Sequence, residues 1–237
     1  MNKTLRGIDV SHWQGNIDFV KVKESGIDFV IIKAGGSDYG FYIDKNFITN
    51  YAKAKAAGLM VGAYYFVGKK FLGYHNGQLD GERFVNILSG MQFEFPVFLD
   101  VETTEIRFKD QATEAAKGFC DAMEKCGYFV GIYASDISGF KERLNHNELK
   151  RYAHWVARYG KDPNYCSDYQ IWQYTSKGSV PGISGSVDCD LSKVDYSIIM
   201  KEKGLNGFKK SEKIKEADST PEEKPKTTKR KKAQKEV

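Results

Sequence analysis

A chain of 237 residues with 41% apolar residues and five prolines is long enough to bury a substantial core in a single large domain. Its net charge of +5 is carried by one end: residues 201–237 hold 13 basic and 7 acidic side chains, against 23 and 24 in the first 200. A body this close to neutral excludes the basic, aromatic-studded face of a nucleic-acid-binding domain, and no stretch approaches the ~20 apolar residues of a membrane span.

Short β-branched or aromatic runs alternate with amphipathic stretches, the pattern of a parallel sheet with crossover helices. Eight strands are read in chain order, near Arg6 to Val10, Ile27 to Lys33, Met60 to Phe66, Pro96 to Val101, Tyr128 to Tyr133, His154 to Arg158, Tyr169 to Tyr174 and Ser186 to Asp190. Helical patterns are clear over Asp44 to Ala57 before Gly58 and over Gln111 to Lys125 before Gly127, where glycine supplies the stop. From Tyr152 onward the connections are too short for full helices. The expected fold is an irregular α/β single-domain barrel of about eight strands, with about five helical crossovers and a mostly β final third. It occupies residues 1–200, and a disordered basic tail occupies residues 201–237.

Cys120, Cys126, Cys166 and Cys189 show no CxxC spacing, and Cys120 and Cys126 fall on different faces of one helix. They read as buried or idle thiols, with no disulfide framework and no zinc site. Neither metal nor cofactor is expected.

The chemistry concentrates at strand ends. In Pro96-Val97-Phe98-Leu99-Asp100-Val101-Glu102 the two-residue period puts Phe98, Asp100 and Glu102 on one face and Val97, Leu99 and Val101 on the other. The apolar face must meet the helices. The two carboxylates then point toward the barrel axis with backbones about 6–7 Å apart, at the strand's C-terminal end where barrel sites lie. Strand one repeats the logic, with Asp9 and Ser11 inward and Ile8 and Val10 outward. Strand eight, Val187-Asp188-Cys189-Asp190, adds a third acidic position. Converging carboxylates raise one another's proton affinity, which keeps one of them protonated for donation to a glycosidic oxygen. By the same parity Tyr64, Tyr133 and Trp155 face the mouth as platforms for a sugar ring, with Lys33 and Gln173 at neighbouring inward ends.

Taken singly, each feature has a plainer reading. An Asp-x-Glu is often a loop acid or a metal ligand, the aromatic residues could be packing, Lys33 could be an ion-pair partner, and His12 reads as a structural loop histidine. Two other functions fit the same residues. One is a hydrolase holding Mg²⁺ or Ca²⁺ on Asp9, Asp100, Glu102 and Asp188, and the other is a wall-binding module without catalysis.

The ordered set of motifs resembles the glycoside hydrolase family 25 muramidases of phage endolysins and bacterial autolysins, over about Arg6 to Tyr196. It comprises Gly7-Ile8-Asp9-Val10-Ser11-His12-Trp13-Gln14-Gly15, Ile31-Ile32-Lys33-Ala34, Gly62-Ala63-Tyr64-Tyr65-Phe66, Asp100-Val101-Glu102, Gly131-Ile132-Tyr133, Trp155-Val156-Ala157, Ile171-Trp172-Gln173-Tyr174-Thr175 and Val187-Asp188. The resemblance implies a modified β/α barrel that cleaves the β-1,4 bond between N-acetylmuramic acid and N-acetylglucosamine. It implies Glu102 as general acid, with Asp100, Asp9 and Asp188 as the supporting acids and the substrate's own acetamido oxygen as nucleophile, oriented by Asp100. Asp190 stands where the family pattern has asparagine, which leaves both Asp188 and Asp190 open as the acid facing the site. Peptidoglycan glycan strands are the expected partner of a monomer, with polyanionic wall polymers a further partner for the basic tail. Met1 to Gln14 lacks the apolar core of a secretory signal, so the protein is expected to be made in the cytoplasm and to reach the wall by release or a non-Sec route.

Overall fold

The computed structural model describes residues 4–210. Nine strands form one sheet: β1 (Leu5–Val10), β2 (Phe29–Gly36), β3 (Tyr42–Ile43), β4 (Met60–Val67), β5 (Val97–Val101), β6 (Val130–Ser135), β7 (Ala153–Ala157), β8 (Ile171–Gly178) and β9 (Val187–Ser192). Their order is β1-β9-β8-β7-β6-β5-β4-β2-β3, and a β1–β2 pairing closes all but the two-residue β3 into an eight-stranded barrel. Helices α1 (Phe19–Glu24), α2 (Phe47–Ala56), α3 (Tyr74–Leu88) and α4 (Lys109–Lys125) cross between the early strands, and a π-helical turn (Asp136–Lys141) with the short α5 (His146–Leu149) joins β6 to β7. The five crossovers and the mostly β final third are as the sequence leads one to expect.

The two-residue period divides the core in two. Outward Ile8, Val10, Val30, Ile32, Val97, Leu99 and Val101 are buried beneath the helices, while inward Phe29, Ile31, Tyr64, Phe98, Tyr133, Trp155 and Ile171 fill the barrel. Each fully buried apolar side chain of this size contributes roughly 1.5–3 kcal/mol, so both layers are needed to hold the sheet closed.

Four expectations are corrected. First, β9 is antiparallel to both neighbours, β8 and β1, and all other neighbouring pairs of the barrel are parallel. Residues 179–186 between β8 and β9 are too few for the dozen or more that a parallel crossover requires. Second, Asp44 is not part of α2: its carboxylate accepts the Asn46 amide at 2.9 Å and the His12 amide at 3.1 Å, so the helix begins at Phe47. Third, the glycines at the end of β2 carry the strand to Gly36, where it pairs with β3.

Fourth, the body continues beyond residue 200. α6 (Tyr196–Lys203) ends at Gly204 in the left-handed region, and Tyr196, Met200, Leu205 and Phe208 pack on the bottom of the barrel interior. There Phe29 stacks on Phe95 at 4.2 Å and Tyr196 meets Phe95 and Phe129 edge-on. Fully buried Asn206 donates to the Phe95 carbonyl at 2.8 Å and accepts the Phe129 amide at 2.7 Å. These few apolar residues among many lysines seal the end opposite the parallel strands' C-termini. The rest of the expected tail, residues 211–237, lies outside the described residues.

Candidate active site

The parallel strands deliver their C-terminal ends to one mouth. β1 brings Asp9, β2 Lys33, β4 Tyr64, β5 Asp100, β6 Tyr133, β7 Trp155 and β8 Gln173, with Glu102 one residue past the end of β5. Because β9 runs the other way, its N-terminal end reaches the mouth. Asp188, opposite Asp9 in the register, is therefore the outer acid, and Asp190, opposite Gly7, lies one step deeper. Both face inward, since Val187 and Cys189, which alternate with them, belong to the outer core.

Five acids in one funnel cannot all ionise at ordinary carboxylate pH. Burial, followed by the charges of Asp190 and Asp188, holds Asp9 well up, and burial followed by the charge of Glu102 does the same to Asp100. Asp190 is raised well above its usual value mainly by burial. Asp188 is pushed up to about 6 by burial and by Glu102. Glu102 keeps solvent access, yet partial burial raises it too, against the opposing pull of Tyr133, Lys33 and Arg143.

A chain of hydrogen bonds links the two sides. Gln173 Nε2 donates to Asp9 at 2.8 Å, and Gln173 Oε1 accepts from Tyr133 at 2.9 Å and from Tyr159 at 3.1 Å. The two phenols thus fix the orientation of the amide. Tyr133 also lies beside Glu102 and favours its ionised form. One oxygen of Asp100, Oδ1, is buried and finds no hydrogen-bonding partner among the described residues. A buried carboxylate oxygen without a donor is costly, and a ligand N–H in the mouth would satisfy it.

The expected sugar contacts divide by depth. Tyr64, Tyr133 and Gln173 are buried and reach the mouth only through their polar ends. Trp155, expected as a ring platform, is 1% exposed: Tyr133 covers it at 4.4 Å and Phe98 at 5.2 Å, and its Nε1–H donates to Asp190 at 2.7 Å. It supports the floor. Lys33 lies over the Phe66 ring at 4.3 Å and its charge favours ionised Asp100 and Glu102. His12 is a loop strut as expected, its Nδ1 2.6 Å from Asp44.

The exposed rings are in loops instead. Trp13, 80% exposed, follows β1, Tyr39, 98% exposed, follows β2, and half-exposed Tyr159 follows β7. Sequence reasoning missed them because it followed strand parity, which stops where the strand stops. The available signal was an aromatic residue within a few positions of an inward-facing strand end. Asp38, whose charge reaches Asp100 and which hydrogen-bonds Tyr42, was missed for the same reason.

The chain matches the model of glycosyl hydrolases family 25 over residues 8–183. It is 35% identical over 187 residues to the autolytic lysozyme of Clostridium acetobutylicum, an alignment covering 78% of this chain and 55% of that protein, so the chain spans little more than half that relative's length. Among solved structures it is similar to the CTP1L endolysin, at 30% identity and a TM-score of 0.70 over 82% of this chain and 68% of that one. A bacterial lysozyme from Streptomyces coelicolor gives 27% identity and a TM-score of 0.69 over 82% and 94%. With the family model matched across most of the barrel and its acids gathered at one mouth, the chain belongs to glycosyl hydrolases family 25.

Proposed function

We propose that the chain is a peptidoglycan hydrolase, an N-acetylmuramidase that cleaves the β-1,4 bond between N-acetylmuramic acid and N-acetylglucosamine. The observation that carries this reading is the pairing of two unlike carboxyls at the end of β5. Glu102 is raised and open to solvent, whereas Asp100 is buried with an oxygen that no donor among the described residues reaches. Glu102 donates its proton to the leaving glycosidic oxygen, and Tyr133 beside it favours the carboxylate left behind. Asp100 accepts the acetamido N–H of the substrate and aims the acetamido oxygen at the anomeric carbon. The ion that forms is stabilised by Asp100, whose ionised form is favoured by Lys33 and by the bound N–H, and water then opens it, with Glu102 taking the proton back. Asp9 and Asp188 line the opposite wall and set the local field. Exposed Trp13, Tyr39 and Tyr159 offer flat faces for the sugars on either side of the cleaved bond.

Digestion of purified walls followed by mass spectrometry of the reduced products tests the bond: new reducing ends on muramic acid are expected, and ends on glucosamine would sink the assignment. Glu102→Gln should fold with an unchanged circular dichroism spectrum and lose about 10²–10⁴-fold in turnover, because the amide has no proton to transfer.

A further inference from the structure

Behind β7, on the outer side of the barrel wall, lies a second group of reactive side chains. His154 is on β7 with parity opposite to Trp155, His146 opens α5, and Cys166 and Asp168 belong to the β7–β8 connection. Their ligand atoms all lie within 4.8 Å of one another. Cys166 Sγ is 3.4 Å from His146 Nε2, 3.5 Å from His154 Nδ1 and 3.7 Å from Asp168 Oδ1. Asp168 Oδ1 is 3.3 Å from His146 Nε2 and 3.8 Å from His154 Nδ1.

These are five of the six edges of a tetrahedron of metal ligands, and the sixth, between the two histidine nitrogens, is no longer than 4.8 Å. Bond lengths of ~2.0 Å to nitrogen or oxygen and ~2.3 Å to sulfur place tetrahedral N and S about 3.5 Å apart, N and O about 3.3 Å, and S and O about 3.5 Å. The tautomer is right as well. His154 Nε2 faces the Leu149 carbonyl at 3.2 Å, so that nitrogen carries the hydrogen and the lone pair of Nδ1 points into the group. The two histidines and Cys166 are buried, Phe140 packs edge-on against both imidazoles, and Asp168 alone is exposed, giving an entry path. The connection is held in place independently by Asp136, whose carboxylate accepts the backbone amides of Asn164 and Cys166.

We propose that His146, His154, Cys166 and Asp168 bind a zinc ion that staples the β7–β8 connection to α5. Thiolate and imidazole donors reject the hard ions Mg²⁺ and Ca²⁺, and four protein ligands with no open position make the site structural. On binding, Cys166 releases its proton to solvent and the sulfur bonds the metal. The staple stands where the early connections have a helix. The proposal is independent of the hydrolase reading, because the site lies outside the barrel and is tested without substrate.

The test uses the full untagged chain, stripped with chelator and reloaded with Co²⁺. The expected result is one cobalt per chain, with the visible absorption of a tetrahedral ion and a near-ultraviolet thiolate charge-transfer band. Cys166→Ser should abolish that band and Cys126→Ser should leave it intact. A cobalt spectrum without thiolate character, or one unchanged in Cys166→Ser, overturns the proposal. Should Cys166→Ser fail to fold, alkylation of the wild type decides. Exposed Cys126 should label equally in zinc and in chelator, and Cys166 should label many-fold faster only in chelator. Equal labelling of Cys166 in both conditions overturns the site.

Discussion

Asp190 is the residue where burial and charge conflict most directly. It accepts from Trp155, lies beside Asp9, and is raised, as Asp9 is, well above the unfolded carboxylate value. The folded state therefore keeps protons that the unfolded chain has released. Its contribution to stability is full below about pH 4 and is lost as pH rises from there through the folded pKa. Asparagine can still accept from Trp155 while donating to Asp9. Asp190→Asn should thus raise the melting midpoint at neutral pH by a few degrees, roughly 1 kcal/mol, with the gain shrinking as pH falls toward 4; a calorimetric pH series checks both the size and the slope. Asp188 acts on activity instead. The charge of Glu102 raises Asp188, and repulsion between like charges is reciprocal, so Asp188→Asn should let Glu102 lose its proton earlier and move the alkaline limb of the wall-hydrolysis profile to lower pH. An unmoved limb would mean that Glu102 does not set it.

At the scale of elements, α3 and α4 show how packing overrides propensity. Glycine costs a helix about 1 kcal/mol relative to alanine, and α3 carries Gly77 and Gly81 while α4 carries Gly118. Their use is contact. A Cβ on Gly77 would lie 1.8 Å from the Ala115 carbonyl oxygen, and one on Gly118 would lie 2.0 Å from that of Tyr74. The two backbones approach so closely that only hydrogen fits between them. Gly77→Ala, which should help an isolated helix, is expected to destabilise the protein by about 1–3 kcal/mol, read as a lower urea midpoint at unchanged slope. A neutral or stabilising result would show that the helices can separate without loss. Sequence periodicity finds α4 but cannot weigh glycine this way, because the contact belongs to two elements 40 residues apart.

For the whole molecule, the charge is divided unequally between a near-neutral body and a basic end. Residues 204–208 belong to the fold through Leu205, Asn206 and Phe208, so a truncation that tests the tail must begin after Lys210. Removing residues 211–237 should leave hydrolysis of soluble glycan fragments unchanged. If lysines and Arg230 in that segment hold the enzyme to anionic wall polymers, the truncated protein should lyse whole cells more slowly at low salt and equally at high salt, since exposed charges act over only about 8 Å at physiological ionic strength. Equal lysis at every salt concentration would deny the tail a role in wall binding.

The amino-acid sequence by itself determined which side of each strand is apolar, and with it the inward direction of Asp9, Tyr64, Asp100, Tyr133 and Gln173. Sidedness follows from the two-residue period of an extended chain, a property of neighbouring residues alone. Depth and direction along the barrel axis were decided by the closed tertiary structure. Closure reversed β9 and set Asp188 above Asp190, sank Trp155 beneath Tyr133, left Trp13 and Tyr39 as the open rings, and seated α6 and Asn206 under the floor. It also brought together His146, His154, Cys166 and Asp168, whose spacing of His-x7-His-x11-Cys-x-Asp carries no metal signature. Each of these depends on which distant segments touch, and a local pattern holds no record of that.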